Sequence, residues 1–379
     1  HVIVGLDVGG AELMLQRLLR AQLRTSTNRH IVVSLTSLGP VGTQMREQGI
    51  MVIPLGMRSG IHAPTALFRL VRCFRELQPD IVQTWMYHAD LLGGLAARLA
   101  KVPVVIWGIR TTDVAKGGSR VTPMIRWLCA RSSAVIPDKI VCAAEAARRL
   151  HVALGYRADR MLVIPNGLDI GSWNPASEDG AQLRRQLGID ESACTVGTLG
   201  RFSHVKDQHN FVRAAGIVGA RDTRVRFLMV GRDCDWENRQ LVAWIGQTRL
   251  ADRFILLGQR SDPAVCMAAM EVFVLPSRTE GFPNVLAEAM AMGRPCVTTD
   301  VGDAASLLGS CGLVSPPEDS SALAESIVRM LGLPSAERDA FGRSARARIV
   351  QEYSMERCNE RFENLYATTL AVARAWRSR

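Results

Sequence analysis

Thirteen short apolar runs recur along this chain, separated for the most part by stretches with helical spacing, and that alternation restricts the fold more than any other feature. In the first half the runs are HVIVG (1–5), HIVVSL (30–35), IMVIPL (50–55), DIVQTW (80–85), PVVIWG (103–108), KIVCA (139–143) and MLVIP (161–165). Most lack the polar alternation of a strand with one wet face, which is how strands buried on both faces of a parallel sheet read. Between them, ELMLQRLLRAQLR (12–24), TALFRLVRCFRELQ (65–78) and DLLGGLAARLA (90–100) read as helices. Strand, helix and strand in repetition give an open α/β sheet with right-handed crossovers.

The pattern pauses and restarts. PNGLDIGSWNPASEDG (165–180) is rich in Gly, Pro, Ser and Asp, the composition of a linker. Beyond it come CTVGTLG (194–200), RFLMVG (226–231), RFILLG (253–258), EVFVLP (271–276), PCVTTD (295–300) and GLVSP (312–316). With 379 residues the chain exceeds one ordinary core and suits two domains of about 150–200 residues. We expect two Rossmann-like domains, residues 1–168 and 169–357, with a C-terminal helix of about 358–379 packing back onto the first. Sheets of this kind bind ligands outside the C-terminal ends of their strands. The chemistry is therefore expected in the loops that follow the apolar runs.

Composition removes several classes. No apolar run approaches the roughly 20 residues a membrane-crossing helix needs. The chain opens at His1, already inside a strand pattern and without Met, so we expect the natural N-terminus to lie upstream. Nine cysteines are scattered singly from Cys73 to Cys358 with no C-x-x-C pair. They read as reduced, mostly buried thiols of a cytoplasmic protein rather than a disulfide framework or zinc site. Charge is uneven: up to Asn166 there are 21 Lys and Arg against 10 Asp and Glu, and beyond it 25 against 26. A basic first half favours an anionic partner.

The richest segment is LPSRTEGFPNVLAEAMAMGRPCVTTD (275–300). A strand ends at Pro276, a loop holds Glu280 and Gly281, and a helix begins near Pro283, a residue suited to a first turn. A helix N-terminus offers free N–H groups and a positive dipole end, which suit a phosphate. Glu280 precedes that terminus, and Glu288 lies about 6 Å along the helix from Asn284. Two carboxylates bracketing an anion site match a nucleotide-sugar: sugar hydroxyls, diphosphate, ribose hydroxyls. GTLGRFSHVKDQHNFVRAA (197–215) adds Arg201 just beyond a strand and Lys206 at the opening of the next helix. A guanidinium fork and an ammonium can neutralise a diphosphate without a metal.

With these motifs the chain resembles the retaining GT-B glycosyltransferases of the large family-4 (group 1) type, in particular those of bacterial surface-polysaccharide and O-antigen assembly. The resemblance rests on GLDVGGAE (5–12), IPNGLD (164–169), GRFSHVKD (200–207), VGRD (230–233) and EGFPNVLAE (280–288). It implies two Rossmann-like domains facing across a cleft and a hexose passed from a nucleoside-diphosphate sugar to a hydroxyl with the anomeric configuration kept. Arg201 and Lys206 would bind the donor diphosphate, Glu280 the transferred sugar, and Glu288 the ribose. Gly281, Phe282, Pro283, Asn284, Val285 and Gly231 would line the donor site. Arg260 would sit where the base is read, unless it is a plain surface Arg. Gly9 and Gly10 would let backbone N–H groups approach the phosphate, or simply form a tight strand–helix turn. A UDP-hexose is expected over a GDP-hexose, with no cofactor and no metal.

One position departs from the family pattern. A His common after a first-domain strand is replaced in WGIRTTD (107–113) by Arg110, a candidate to hold a leaving or acceptor phosphate. His88 in TWMYHAD (84–90) is a second candidate, or a His bonded to nearby backbone. Asp233 and Asp235 in DCD have the spacing of a metal motif, but the cations already supply positive charge and no other carboxylate cluster is evident.

The basic half suggests the acceptor. Arg69, Arg72 and Arg75 lie beside Phe68 and Phe74, and SRVTPMIRWLCAR (119–131) mixes Arg120, Arg126 and Arg131 with Met124, Ile125 and Trp127. This composition suits an anionic membrane surface, or two ordinary amphipathic helices. No nucleic-acid module is present. The resemblance implies a glycan or lipid-linked glycan acceptor and a peripheral place on the inner membrane face. Two rival readings remain, a nucleotide-sugar epimerase of the same fold and a non-catalytic lipid-phosphate-binding module. A nicotinamide dehydrogenase is disfavoured because no G-x-G-x-x-G follows any strand.

Overall fold

The computed structural model describes residues 1–57, 63–112, 121–173 and 177–377. The chain divides into two compact units, one made of His1–Gly167 with Met355–Arg379 and the other of Leu168–Ser354. Arg120 and the end of the 107–113 segment lie outside the described residues.

The first unit holds a seven-stranded sheet in the order β3-β2-β1-β4-β5-β6-β7. Its strands are β1 (Val2–Ile3), β2 (Ile31–Ser34), β3 (Met51–Pro54), β4 (Ile81–Trp85), β5 (Val104–Ile109), β6 (Lys139–Cys142) and β7 (Met161–Val163), and all pairings are parallel. The helices are α1 (Gly10–Thr25), α2 (Gly39–Glu47), α3 (Ala63–Leu77), α4 (Tyr87–Leu99), α5 (Thr122–Ser132) and α6 (Glu145–Ala153). All six residues of β5 are buried, which is why its sequence shows no polar alternation. In α1 the buried residues Met14, Leu15, Leu18, Leu19 and Gln22 trace one helical face.

The second unit holds a six-stranded, all-parallel sheet in the order β10-β9-β8-β11-β12-β13. These strands are β8 (Cys194–Leu199), β9 (Val225–Val230), β10 (Phe254–Leu256), β11 (Val272–Leu275), β12 (Cys296–Thr299) and β13 (Gly312–Ser315). Its helices are α7 (Ser177–Gln186), α8 (Gln208–Arg221), α9 (Arg239–Thr248), α10 (Pro263–Ala268), α11 (Asn284–Ala291), α12 (Ala304–Leu308), α13 (Ser320–Gly332) and α14 (Ser335–Glu352). Two apolar clusters form its core, one around Phe273, Leu286 and Met290 and one around Phe211, Phe227 and Ile327.

The last helix, α15 (Met355–Arg377), belongs to the first unit. Phe362 and Tyr366 join the cluster that contains Trp85, and the Tyr366 hydroxyl donates to the Gln83 side chain. Thirteen strands occupy the thirteen apolar runs, and the architecture is that of two Rossmann-like domains. In each sheet the strand order reverses once, between β1 and β4 and between β8 and β11. Ligands of open α/β sheets sit at such reversals. All nine cysteines are free, and among the described residues no helix is long and apolar enough to cross a membrane.

Candidate functional site

In the second unit the loops after β8 and β11 flank the reversal. The first passes through Gly200 and Arg201 into a single 3-10 turn, His204–Lys206, before α8. The second runs from Pro276 to Pro283 and enters α11. They meet: the Lys206 ammonium donates to Glu280 Oε1 at 2.6 Å, and the Ser277 hydroxyl donates to the same oxygen at 2.6 Å. The pair is sheltered, with the Lys206 side chain 24% and the Glu280 side chain 10% exposed.

Several contacts hold Glu280 from below. The Thr299 hydroxyl donates to the Ser277 carbonyl at 2.7 Å, and the Asp303 amide donates to the Gly281 carbonyl at 3.0 Å. Gly302, at φ +58, lies so close that a Cβ there would stand 2.3 Å from the Glu280 carbonyl, so only Gly fits. Arg278 grips the other loop twice. Its amide donates to the Val205 carbonyl at 2.9 Å, and its guanidinium meets Asp207 Oδ2 at 2.8 Å.

The remaining expected donor residues are distributed around this centre. Arg201 is exposed, and its guanidinium has no partner among the described residues, although its carbonyl accepts the Gln208 amide at 2.8 Å. Gly231, at φ +141, passes under that loop, where a Cβ would overlap the Gly200 carbonyl. Pro283 is buried at the N-cap of α11, no side chain caps the helix, and Asn284 is exposed at its first position. Val285 is buried in the core, Glu288 is half-buried one turn further on, and Phe282 packs on Tyr353 at 5.8 Å. Arg260 forks onto Asp262 at 2.7 and 2.6 Å, so its charge is answered locally.

Of the two DCD carboxylates, that of Asp235 serves the backbone. Asp235 accepts the amides of Glu237 and Asn238 at 3.1 and 3.2 Å, and no metal-ligand cluster occurs among the described residues.

In the first unit, Gly9 is the N-cap of α1 and Gly10 its first residue. The space a Gly9 side chain would take is filled by the Glu12 carboxylate, 2.3 Å from an ideal Cβ, whereas a Cβ at Gly10 would meet nothing within 4 Å. Burial raises the Glu12 pKa, the carboxylate standing in the first turn where anions are favoured.

At the end of β4 the backbone is strained. Met86 takes φ 74 and ψ 157, a region other residues avoid. It is held by its amide donating to the Gly108 carbonyl and by its carbonyl accepting the Asp90 amide, both at 2.8 Å. The buried Asp90 carboxylate in turn accepts the Thr84 hydroxyl and, at 3.2 Å, the Gly108 amide. Burial pushes the Asp90 pKa up to about 8, and its other oxygen has no partner. His88, next to this turn, is half-buried and has no hydrogen-bond partner among the described residues; burial lowers its pKa and keeps it neutral.

Arg110 follows β5 but turns inward. Its guanidinium carbon lies 4.6 Å from the centre of the Trp85 ring and 5.6 Å from that of Phe362. Nη1 donates to Asn166 at 3.1 Å, while Nε and Nη2 are buried without partners.

The structure thus brings Lys206 and Glu280 together directly and sets Arg110 into aromatic packing. Sequence reasoning missed Ser277, Arg278, Asp207, Thr84 and Asp90. The first three adjoin the expected residues in PSRTEG and VKD, and Asp207 also has an N-cap signature ahead of α8, its side chain accepting the Asn210 amide.

On the surface of the first unit, Phe68 is exposed while Phe74 is buried, and Arg72 pairs with Glu76. On and beside α5, Val121, Met124, Trp127 and Leu128 are all exposed, and Arg131 stacks on Trp127 at 5.5 Å.

Comparison with known proteins identifies the family. A family model described as "Glycosyltransferase Family 4" matches residues 8–172, and one described as "Glycosyl transferases group 1" matches residues 193–332. The chain is 27% identical to an Escherichia coli UDP-Gal:alpha-D-GlcNAc-diphosphoundecaprenol alpha-1,3-galactosyltransferase over 240 residues, which is 62% of either chain. It is 24% identical to the Staphylococcus aureus capsular polysaccharide biosynthesis glycosyltransferase CapM, over 80% of this chain and 81% of that one. Among solved structures, Anabaena HepE in complex with UDP and glucose superposes with a TM-score of 0.80 at 22% identity, over 97% of this chain and 99% of that one, a likeness of fold. With both halves matched and the two-sheet architecture in place, the chain belongs to the family-4, group 1 glycosyltransferases of GT-B fold.

Proposed function

We propose that this glycosyltransferase moves a hexose from a uridine-diphosphate sugar to a hydroxyl of a lipid-linked glycan, without a metal and with the anomeric configuration kept. The observation that carries the reading is the Lys206–Glu280 contact at the strand-order reversal of the second unit. A diphosphate needs positive charge, and a sugar needs acceptors for its hydroxyls. Lys206, the unpartnered Arg201 and the positive dipole end of α11 supply the first, and Glu280 supplies the second.

In the proposed reaction the bond from the anomeric carbon to the diphosphate oxygen breaks, and a bond to the acceptor oxygen forms on the same face. The acceptor proton passes to the departing phosphate oxygen. Lys206 and Arg201 stabilise the charge that develops there, the type of interaction that contributes most to many rate enhancements. Glu280, with one oxygen already taking two hydrogen bonds, orients the sugar rather than attacking it. The first unit would carry the acceptor, with the exposed α5 face resting on an anionic membrane surface. The diphosphate-linked lipid in the name of the E. coli relative and the UDP bound to HepE support the choice of acceptor and base.

The test is purified protein with UDP-hexoses, with and without a polyprenyl-diphosphate glycan. Transfer that survives EDTA is the expected result. Conversion of the donor when no acceptor is present would instead favour an epimerase, and vesicle binding with every nucleotide-sugar left intact would favour a lipid-phosphate-binding module.

A further inference from the structure

We propose that the ion pair between Asp207 and Arg278 sets the position of the Lys206 ammonium against Glu280, making both of them positioning residues for the nucleoside diphosphate. The proposal rests on the reading of Lys206 as a donor-binding cation.

Lys206 sits on one 3-10 turn between a strand and a helix, and a single turn of this kind has little stability of its own. Its side chain has four rotatable bonds, so the turn's backbone has to be fixed for the ammonium to be fixed. Asp207 provides the anchor. It is the residue after Lys206, its side chain is 2% exposed, and its backbone is left-handed at φ 47 and ψ 54. Its carboxylate caps α8 through the Asn210 amide at 3.2 Å and receives the Arg278 guanidinium at 2.8 and 3.4 Å. Arg278 lies two residues before Glu280, and its own amide bonds the Val205 carbonyl just ahead of Lys206. A third group steadies the guanidinium, Glu318 at 2.9 Å. The Asp207–Arg278 link therefore runs parallel to the Lys206–Glu280 link, between the same two loops and one residue further along the first.

Asp207→Gly removes the carboxylate while relieving the left-handed backbone. Arg278→Met removes the charge and keeps the length. Both, together with Arg278→Lys, are built in the natural chain and in a Lys206→Met background, and UDP binding is titrated alongside thermal unfolding. We expect Arg278→Met and Asp207→Gly each to weaken UDP binding about tenfold or more, and Arg278→Lys to recover part of that loss. In the Lys206→Met background the same changes should alter binding less than twofold, with melting temperatures shifted by only a few degrees. Equal losses in both backgrounds, or no loss in the natural one, would overturn the proposal. If Arg278→Met does not fold, Asp207→Gly decides. UDP binding unaffected by Lys206→Met alone would instead refute the reading of Lys206.

Discussion

The two strand-order reversals are built from opposite materials. In the second unit the loops beyond β8 and β11 present charges that answer one another, Lys206 with Glu280 and Asp207 with Arg278. In the first unit the ends of β4 and β5 present groups kept discharged or underused. His88 is held neutral, Asp90 retains its proton up to about pH 8, and Arg110 is stacked on Trp85 with two nitrogens unsatisfied. A loop pair rich in answered charge is suited to an anion that exchanges one partner for another. The end of β4 instead offers the neutral, half-buried His88 at a strained turn, with Asp90 buried beneath it. The same doubly wound plan thus carries two kinds of strand-end chemistry with no change of topology.

The contrast can be broken in order of expected effect. Lys206→Ala should lower kcat/KM for the nucleotide-sugar about 100-fold or more, because it removes a preorganised charge from the leaving group; near-normal turnover would erase the distinction between the units. Arg110→Met comes next. Replacing a buried, incompletely paired cation by an apolar side chain is often neutral for stability, so the melting temperature should hold while turnover falls about tenfold through loss of charged hydrogen bonds. A large loss of stability with unchanged turnover would make Arg110 a structural staple instead.

Asp90→Asn addresses the buried carboxyl beneath the strained turn. The Asp90 pKa rises from 3.8 to about 8 on folding, so the folded chain holds a proton that the unfolded chain releases. The stability it contributes is complete below about pH 4 and is lost as pH rises toward 8, with a slope that cannot exceed about 1.4 kcal/mol per pH unit. Denaturant unfolding across that window should show the slope in the natural chain and its loss in Asp90→Asn. The smallest effect is expected from Gly10→Ala. A Cβ there meets no protein atom and Ala favours helix by up to about 1 kcal/mol, so stability should be unchanged or slightly higher. Donor KM should rise about threefold if a phosphate comes close to that amide; an unchanged KM would leave Gly10 as a turn residue alone.

The fold was readable because its signal is local. A strand such as β5, buried on both faces, shows as PVVIWG with no neighbour needed to interpret it. The Lys206–Glu280 meeting was readable in part, since both residues sit in loops that the strand pattern itself locates. What the linear chain concealed is how charges are shared. Nothing in VKD and PSRTEG, about 70 residues apart, announces that Asp207 will meet Arg278. Arg110 looks like any cation beyond a strand until α15 brings Phe362 from the far end of the chain to lie beside it. Glu12 is a comparable case: its fold back over Gly9 depends on the geometry of a turn that GG leaves open.

The 2.6 Å contact between Lys206 and Glu280 has a consequence for selectivity. An isolated phosphate or a stray carboxylate drawn to the ammonium must displace a partner already in place and leave that partner stranded in a sheltered position. A free sugar offers hydroxyls to the carboxylate but nothing to the abandoned cation. A molecule bearing both ends at the correct separation parts the two side chains and satisfies each at once. The contact therefore favours a ligand with both ends over either fragment alone.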